Sequence, residues 1–401
     1  GRLVARMMTQ TTGPGNYFRL KAIVMRNDSL RDRTLTALVV AGGTGGHVYP
    51  ALAVATVLDR IGWSVMWVGT EQGIENRVVP RSTFPMHCLS VSGVRGKHYL
   101  ARISGIFRLV AAIFKSIQLI RKLKPDVVLG MGGYLAGPVG IAAWITRRPL
   151  IIHEQNAVVG STNWILAPLA SRVLCGLPGA FSKRPKVREV GNPLRDFLGN
   201  QAREGHLEFK RKFSPDSPMH VLVLGGSLGA MPLNRLVPPA ISELVRNGEA
   251  DSLAVWQQCG EINRKQADLE WQENTFSHLV IDNFIENMGD AYDWADIVIA
   301  RAGALTVSEL AASGKPAVLI PLPHAIDDHQ TQNAKVLVEI GAAISIPEHQ
   351  ATPELLARYL SKFLHSPLEL RSMALSALKA ARLDATEEVV TELNEVVHAN
   401  L

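Results

Sequence analysis

The chain has 401 residues, 47% of them hydrophobic, which is more than one hydrophobic core usually accommodates and predicts two globular domains. Its three cysteines lie far apart without Cys-x-x-Cys spacing, which suggests neither a disulfide framework nor a zinc site and favours a reducing cytoplasm. The formal net charge of +6 is unevenly distributed.

The two halves of the chain have opposite charge. Residues 34–194 carry eighteen Lys or Arg against six Asp or Glu, whereas residues 195–401 carry seventeen against twenty-eight. This asymmetry is expected when one domain faces an anionic partner. A chance difference between two solvated surfaces is the alternative.

Two stretches resemble targeting or membrane segments. Residues 1–33 are basic but lack the apolar run of a secretory signal, so we predict a disordered extension. The twenty uncharged residues from Val127 to Thr146 could span a bilayer by length. Their five glycines and Pro138 favour a buried strand, a tight loop and a packed helix instead.

From Leu35 onward, β-branched apolar runs alternate with helical patterns, as in the βαβ units of a parallel sheet. One such series occupies residues 34–194. A polar linker is predicted at 195–218, and a second series with helices at its end at 219–401. The predicted fold class is therefore α/β, with two Rossmann-like, doubly wound domains and a cleft between them.

Each predicted domain opens with the same glycine-rich loop. Gly42–Gly46 and Gly225–Gly229 both match G-G-[ST]-x-G, and each follows a strand and leads into a helix. Such a helix N-terminus presents free N–H groups to an anion. Neither loop has the G-x-G-x-x-G of a nicotinamide dehydrogenase, although Glu71 after the second strand leaves that alternative open. No P-loop motif occurs.

Seven segments in chain order resemble the MurG family of UDP-N-acetylglucosamine transferases. They are GGTGGHVYPALAVA, DVVLGMGGYLAGP, IIHEQNAVVGSTN, EVGNPLR, VLGGSLGA, FIENM with YDWADIVIARAGALTVSEL, and PHAIDDHQTQNA, within residues 35–395. The resemblance implies the GT-B architecture. It also implies inverting transfer of N-acetylglucosamine to the 4-hydroxyl of undecaprenyl-pyrophosphoryl N-acetylmuramoyl pentapeptide, without metal or cofactor. No Asp-x-Asp dyad for a metal-bound nucleotide sugar occurs in the sequence.

The candidate base is His47, which follows the first glycine loop at the start of a helix. Its ordinary pKa near neutrality suits proton abstraction from the acceptor hydroxyl, and the resemblance points to the same residue. A histidine that only caps the helix is the alternative, in which case Glu154 is the next candidate.

The resemblance implies a donor site mainly on the second domain. Ser227 would meet the pyrophosphate, Ile285 the uracil, Glu309 the ribose hydroxyls and Gln330 the sugar. The helix start from Ala304 would supply N–H groups. The full set of predicted donor residues is Thr44, Gly45, Gly46, Asn156, Arg195, Ser227, Ile285, Ala304, Leu305, Thr306, Val307, Ser308, Glu309 and Gln330.

For the acceptor, the resemblance favours Met131, Gly132, Gly133 and Tyr134 near the lipid diphosphate, together with Glu154. Residues 95–124 hold eight Lys or Arg, no acid and many apolar residues, which suits an anionic membrane surface. We therefore predict a peripheral enzyme at the cytoplasmic face of the membrane, with no nucleic-acid partner. A helix that buries its apolar face in the domain is the alternative.

Other functions share these features. A UDP-N-acetylglucosamine epimerase or a glycolipid synthase would have a similar donor site, and a non-catalytic membrane-associated scaffold could keep the folds and the basic face. His324 and His329 lie near Asp327 and Asp328, but their spacing matches no standard metal site, so no metal is predicted.

Overall fold

The computed structural model describes residues 33–71, 73–79, 84–89, 99–195, 212–226, 229–274, 276–323 and 328–400, apart from the side chains of 99–104, 106 and 250. The chain divides into two compact units. One comprises residues 1–196 and 384–401, and the other residues 197–383.

The first unit is built on a seven-stranded sheet in the order β3-β2-β1-β4-β5-β6-β7, with every pairing parallel. Its strands are β1 (Thr36–Val40), β2 (Ser64–Gly69), β3 (Met86–Cys88), β4 (Val127–Gly130), β5 (Leu150–Glu154), β6 (Arg172–Cys175) and β7 (Val187–Glu189). Strands β1, β4 and β5 are almost wholly buried, as expected for strands covered on both faces.

Helices cover this sheet. They are α1 (Gly45–Arg60), α2 (Glu75–Val78), α3 (Tyr99–Leu123), α4 (Gly133–Ile145) and α5 (Ser161–Leu166). The uncharged stretch Val127–Thr146 therefore forms strand β4, a glycine turn and helix α4, as its glycines predict. Within the described residues, no helix combines the length and apolarity needed to cross a membrane.

The second unit has a six-stranded parallel sheet in the order β10-β9-β8-β11-β12-β13. The strands are β8 (Met219–Leu224), β9 (Leu253–Gln258), β10 (Leu279–Asp282), β11 (Ile297–Ala300), β12 (Ala317–Leu319) and β13 (Ala343–Ser345). The helices are α6 (Met231–Arg246), α7 (Arg264–Glu273), α8 (Met288–Trp294), α9 (Ala304–Ala312), α10 (His329–Val338), α11 (Pro353–His365) and α12 (Pro367–Lys379).

The last helix, α13 (Ala385–His398), belongs to the first unit, whereas the sequence assigned 219–401 to the second. Its apolar face packs into the first unit's core, and Glu392 contacts Arg172 and Arg188, with Nε–Oε distances of 3.1 and 3.5 Å. The helical spacing was visible in the sequence. Which sheet it covers is set by long-range packing. The residues of this face are Val389, Val390, Leu393, Val396 and Val397.

The predicted ends of the extension and linker also differ slightly. Arg33 forms an ion pair with the buried Asp126, so the predicted extension 1–33 includes at least one residue bound to the first unit. In the predicted linker 195–218, Ser214 and Ser217 form an isolated bridge before β8.

Both glycine-rich loops occupy equivalent places. The first follows β1, between neighbours β2 and β4, and the second follows β8, between β9 and β11. In each sheet this is the point where strand order reverses, which is the usual ligand-binding position of a doubly wound sheet.

Candidate active site

His47 lies in the first turn of α1, directly after the glycine loop, and its ring is half-buried. Nδ1 is enclosed and has no hydrogen bond of regular geometry with a described residue, although the Gln155 side chain and the Met131 carbonyl lie close enough to act on the ring. Burial lowers the pKa of His47, while the Glu154 carboxylate, the Gln155 side chain and the Met131 carbonyl raise it in part. At neutral pH the imidazole is therefore uncharged, which is the state that a general base requires.

The predicted acceptor loop lies against His47. Gly132 and Gly133 both have positive φ, 93° and 78°, which favours glycine. A β-carbon on Gly132 would lie 2.9 Å from His47 Nδ1, and one on Gly133 would lie 3.2 Å from the Gly42 carbonyl oxygen. Met131 is buried beneath this turn and Tyr134 is exposed beyond it. The structure thus brings His47, the predicted base, together with four of the five predicted acceptor residues.

Glu154, the fifth, is buried and already saturated. Its carboxylate accepts hydrogen bonds from the Asn156 backbone N and Nδ2 at 3.1 Å each, from Gly160 N at 3.0 Å and from Asn163 Nδ2 at 2.9 Å. A carboxylate with four donors is poorly suited to remove a substrate proton. It instead fixes the loop of residues 155–160 and places a negative charge near His47.

The first glycine loop is held by a buried carboxylate that the sequence analysis did not identify. Glu75 is fully buried and accepts hydrogen bonds from Gly43 N at 2.9 Å and from Thr70 N and Oγ1 at 2.6 Å. β-Carbons on Gly42 or Gly69 would come within 2.8 Å of this side chain. The glycines therefore make room for Glu75, and the Gly43 N–H is not available to a phosphate.

The donor residues predicted on the first unit are accessible. Thr44 and Gly46 are exposed, and Gly45, Asn156 and Arg195 are half-buried. The Arg195 guanidinium lies over the Tyr49 ring, 5.2 Å from its centroid. This places a cation beside α1, close to the glycine loop, because the Tyr49 ring also approaches Gly45.

In the second unit, Gln258 joins two parts of the predicted donor site. Its Nε2 donates to the Gly226 carbonyl at 2.9 Å, and its Oε1 accepts from Ile285 N at 2.8 Å. The Ile285 N–H is therefore already paired, so the predicted contact with uracil would fall to the Ile285 carbonyl. Ser227 lies outside the described residues.

Helix α9 carries most of the remaining predicted donor residues. Ala304 and Val307 are buried, whereas Leu305, Thr306, Ser308 and Glu309 are half-buried. The Tyr292 hydroxyl donates to Glu309 Oε2 at 3.0 Å, which orients the carboxylate. On α10, Gln330 Oε1 accepts from Leu322 N at 2.9 Å, and Asn333 Nδ2 donates to the Ala302 carbonyl at 3.1 Å.

Among the described residues, no group of three or more His, Cys, Asp or Glu side chains is arranged to hold a metal ion. His329 begins α10, and His324 and Asp327 lie outside the described residues.

Helix α3 exposes an apolar stripe. Gly105, Ala112, Ser116 and Ile120 are buried, whereas Phe107, Val110 and Phe114 are 73%, 54% and 65% exposed at helical spacing. Part of the apolar surface of helix α3 is therefore exposed to solvent and not buried in the core of the first unit. The neighbouring helices α4 and α5 of the same unit expose Trp144, Ile145, Trp164 and Ile165.

Comparisons with known proteins agree with this architecture. Residues 37–175 match the glycosyltransferase family 28 N-terminal domain, and residues 220–389 match the C-terminal domain of that family. Two doubly wound sheets with glycine loops at their switch points, together with these matches, define the class: a glycosyltransferase of GT-B fold.

Relatives narrow the class. UDP-N-acetylglucosamine–N-acetylmuramyl-(pentapeptide) pyrophosphoryl-undecaprenol N-acetylglucosamine transferases from Pseudomonas entomophila and Tolumonas auensis are 45% and 41% identical. Each alignment spans 90% of this chain and 98% or 99% of the relative. The chain belongs to this transferase family, the MurG family.

Solved structures place the chain in the same family. MurG of Acinetobacter baumannii matches with a TM-score of 0.73 and 38% identity, over 90% of this chain and 99% of that one. A UDP-N-acetylglucosamine 2-epimerase matches with a TM-score of 0.60 over 90% of this chain and 96% of that one. At 14% identity, the epimerase shows a shared fold alone.

Proposed function

We propose that this protein transfers N-acetylglucosamine from UDP-N-acetylglucosamine to the 4-hydroxyl of N-acetylmuramoyl pentapeptide on undecaprenyl pyrophosphate, in peptidoglycan synthesis. The observation that carries this proposal is 45% identity to a transferase of that name over 98% of its length. The neutral, half-buried His47 beside a two-glycine turn supplies the chemistry.

In this mechanism His47 Nε2 removes the proton of the acceptor hydroxyl as that oxygen attacks the anomeric carbon. Nδ1 is the enclosed nitrogen, so Nε2 is the one that can meet a substrate. The bond from the anomeric carbon to the UDP oxygen breaks on the opposite face, which inverts the configuration. Negative charge then grows on the departing diphosphate, and N–H groups at a helix start stabilise such charge without a metal.

The donor would be bound mainly by the second unit. The Ile285 carbonyl would accept from the uracil N–H, and Glu309 would accept from the ribose hydroxyls, oriented by Tyr292. The start of α9, the second glycine loop and Gln330 would meet the diphosphate and sugar. A UDP-N-acetylglucosamine epimerase, the alternative function, uses no acceptor. It would therefore not need His47 as the base for an acceptor hydroxyl.

We further propose that the first unit docks on the anionic cytoplasmic face of the membrane through the stripe Phe107, Val110 and Phe114. Exposed Arg108 and Lys115 flank this stripe on the same helix. Apolar insertion together with basic residues is the combination that binds peripheral proteins to anionic bilayers.

The decisive experiment is incorporation of labelled N-acetylglucosamine into a lipid-linked N-acetylmuramoyl-pentapeptide acceptor. Product should require both substrates and persist in excess EDTA. Incubation with UDP-N-acetylglucosamine alone is the control. Its conversion to another nucleotide sugar would favour the epimerase, and EDTA inhibition reversed by magnesium would contradict the metal-free mechanism.

A further inference from the structure

Two enclosed polar atoms face the same turn without hydrogen bonds. His47 Nδ1 and Gln155 Oε1 are both buried, and neither has a hydrogen bond of regular geometry with a described residue. A β-carbon on Gly132 would lie 2.9 Å from the first and 3.5 Å from the second, so both border the same small space. A buried polar atom without a partner carries a substantial free-energy cost, which one shared hydrogen bond would remove for both.

The Gln155 amide has a fixed orientation. Its Nε2 donates to the Met131 carbonyl at 2.9 Å, and a flipped amide would instead set two oxygens against each other. Oε1 must therefore be the amide atom that borders the space beside Gly132 and His47 Nδ1. The backbone carbonyl of Gln155 accepts from Asn192 Nδ2 at 3.1 Å, which holds the residue in place from behind.

We propose that Gln155 is a positioning residue for the base: its Oε1 accepts a hydrogen bond from His47 Nδ1–H and so keeps the Nε2 lone pair directed at the acceptor hydroxyl. This inference rests on the proposed role of His47. A neutral imidazole carries its proton on one of its two nitrogens. The hydrogen-bond partners of the two nitrogens determine which of them carries it. An amide oxygen can accept a hydrogen bond but cannot donate one. An amide oxygen beside Nδ1 therefore favours the form of the ring with the proton on Nδ1.

The same contact also serves the step that follows. When Nε2 takes the acceptor proton, the imidazolium needs an acceptor at Nδ1, and Gln155 Oε1 with the Met131 carbonyl provides one. The other titratable groups coupled to His47 are Glu154, which favours the charged ring, and His153, whose own pKa the charge on His47 lowers. Glu154 is engaged by four donors, so Gln155 is the side chain left to orient the ring.

The first test needs no change at Gln155. In the full chain labelled with ¹⁵N-histidine, the His47 resonances are assigned by their loss in His47→Asn, since the chain has twelve histidines. We expect the neutral ring to carry its proton on Nδ1. A ring protonated on Nε2 would overturn the proposal, and with it Nε2 as the proton acceptor, while the transfer of N-acetylglucosamine itself would stand.

The second test is kinetic. Gln155→Met keeps the length of the side chain but removes the acceptor, and should lower kcat/KM by roughly tenfold, a fraction of what a general base contributes. The acid limb of the pH profile should move to lower pH. Gln155→Glu should move it to higher pH, because a negative acceptor stabilises the imidazolium.

Two controls separate positioning from folding. In the His47→Ala background, Gln155→Met should cause no further loss, because the orienting contact has no ring to act on. UDP affinity should match the parent in all variants. Acid limbs that coincide with the parent, or an equal loss in the His47→Ala background, would overturn the positioning role. Full activity of His47→Ala itself would instead overturn the proposed base.

Discussion

His47 combines burial with a lowered pKa. Because burial disfavours its charged form, the imidazole stays neutral to below its ordinary pKa of 6.5 and becomes protonated only at lower pH. We expect kcat/KM to be constant through pH 7 and to fall with acid along a limb centred below 6.5. A limb at or above 6.5 would contradict an enclosed ring.

The matching substitution is His47→Ala, which should lower kcat by about 10²-fold or more while UDP binding stays near the parent value. Exposed His278 offers the control, since His278→Ala should change neither rate nor pH profile. Turnover like that of the parent in His47→Ala would reject the base assignment.

Glu309 and Tyr292 form a pair whose parts can be separated. Glu309→Ala should weaken UDP binding by ~1–3 kcal/mol, because ribose hydroxyls lose a charged acceptor, and Tyr292→Phe by less, about 0.5–1.5 kcal/mol. Calorimetry with 2′,3′-dideoxy-UDP is the control. If Glu309→Ala weakens that ligand as much as UDP, the carboxylate does not bind the ribose.

Among the elements, strands and glycine loops could be predicted, because β-branched runs and G-G-[ST]-x-G are local patterns. Glu75, Gln155 and Gln258 could not be assigned. Each of them forms a hydrogen bond to a residue 24 to 32 positions away in the chain, and nothing near them in sequence marks that partner. His47 could be found from the sequence because it directly follows the first glycine loop, which is itself a recognisable local pattern.

Helix α3 makes a prediction about membrane binding. The double variant Phe107→Ser, Phe114→Ser should lose the part of vesicle binding that resists salt. The double variant Arg108→Glu, Lys115→Glu should lose the part that salt weakens. Cosedimentation with anionic vesicles measures both. Leu368→Ser, at an equally exposed position in the second unit, is the control. If both double variants sediment like the parent, docking occurs elsewhere.

At the scale of the whole molecule, we expect α13 to contribute to the free energy of unfolding of the first unit. Leu393→Ala removes a fully buried side chain and should lower the free energy of unfolding of that unit by about 2–5 kcal/mol. Exposed Glu395→Ala, on the same helix, should change it by less than ~0.5 kcal/mol. Urea unfolding followed by fluorescence measures both, with UDP binding as the reporter of the second unit. Equal effects would mean that the helix is not part of that core.

The return of α13 also makes the second unit an insertion within the first. Residues 212–383 form one uninterrupted stretch, whereas the first unit needs two separate stretches to complete its core. For protein engineers this makes the two halves unequal as exchangeable modules. The second unit of a relative could be grafted as a single continuous segment. A grafted first unit must bring its own terminal helix, or the valines of the recipient's α13 will pack against a surface that does not fit them.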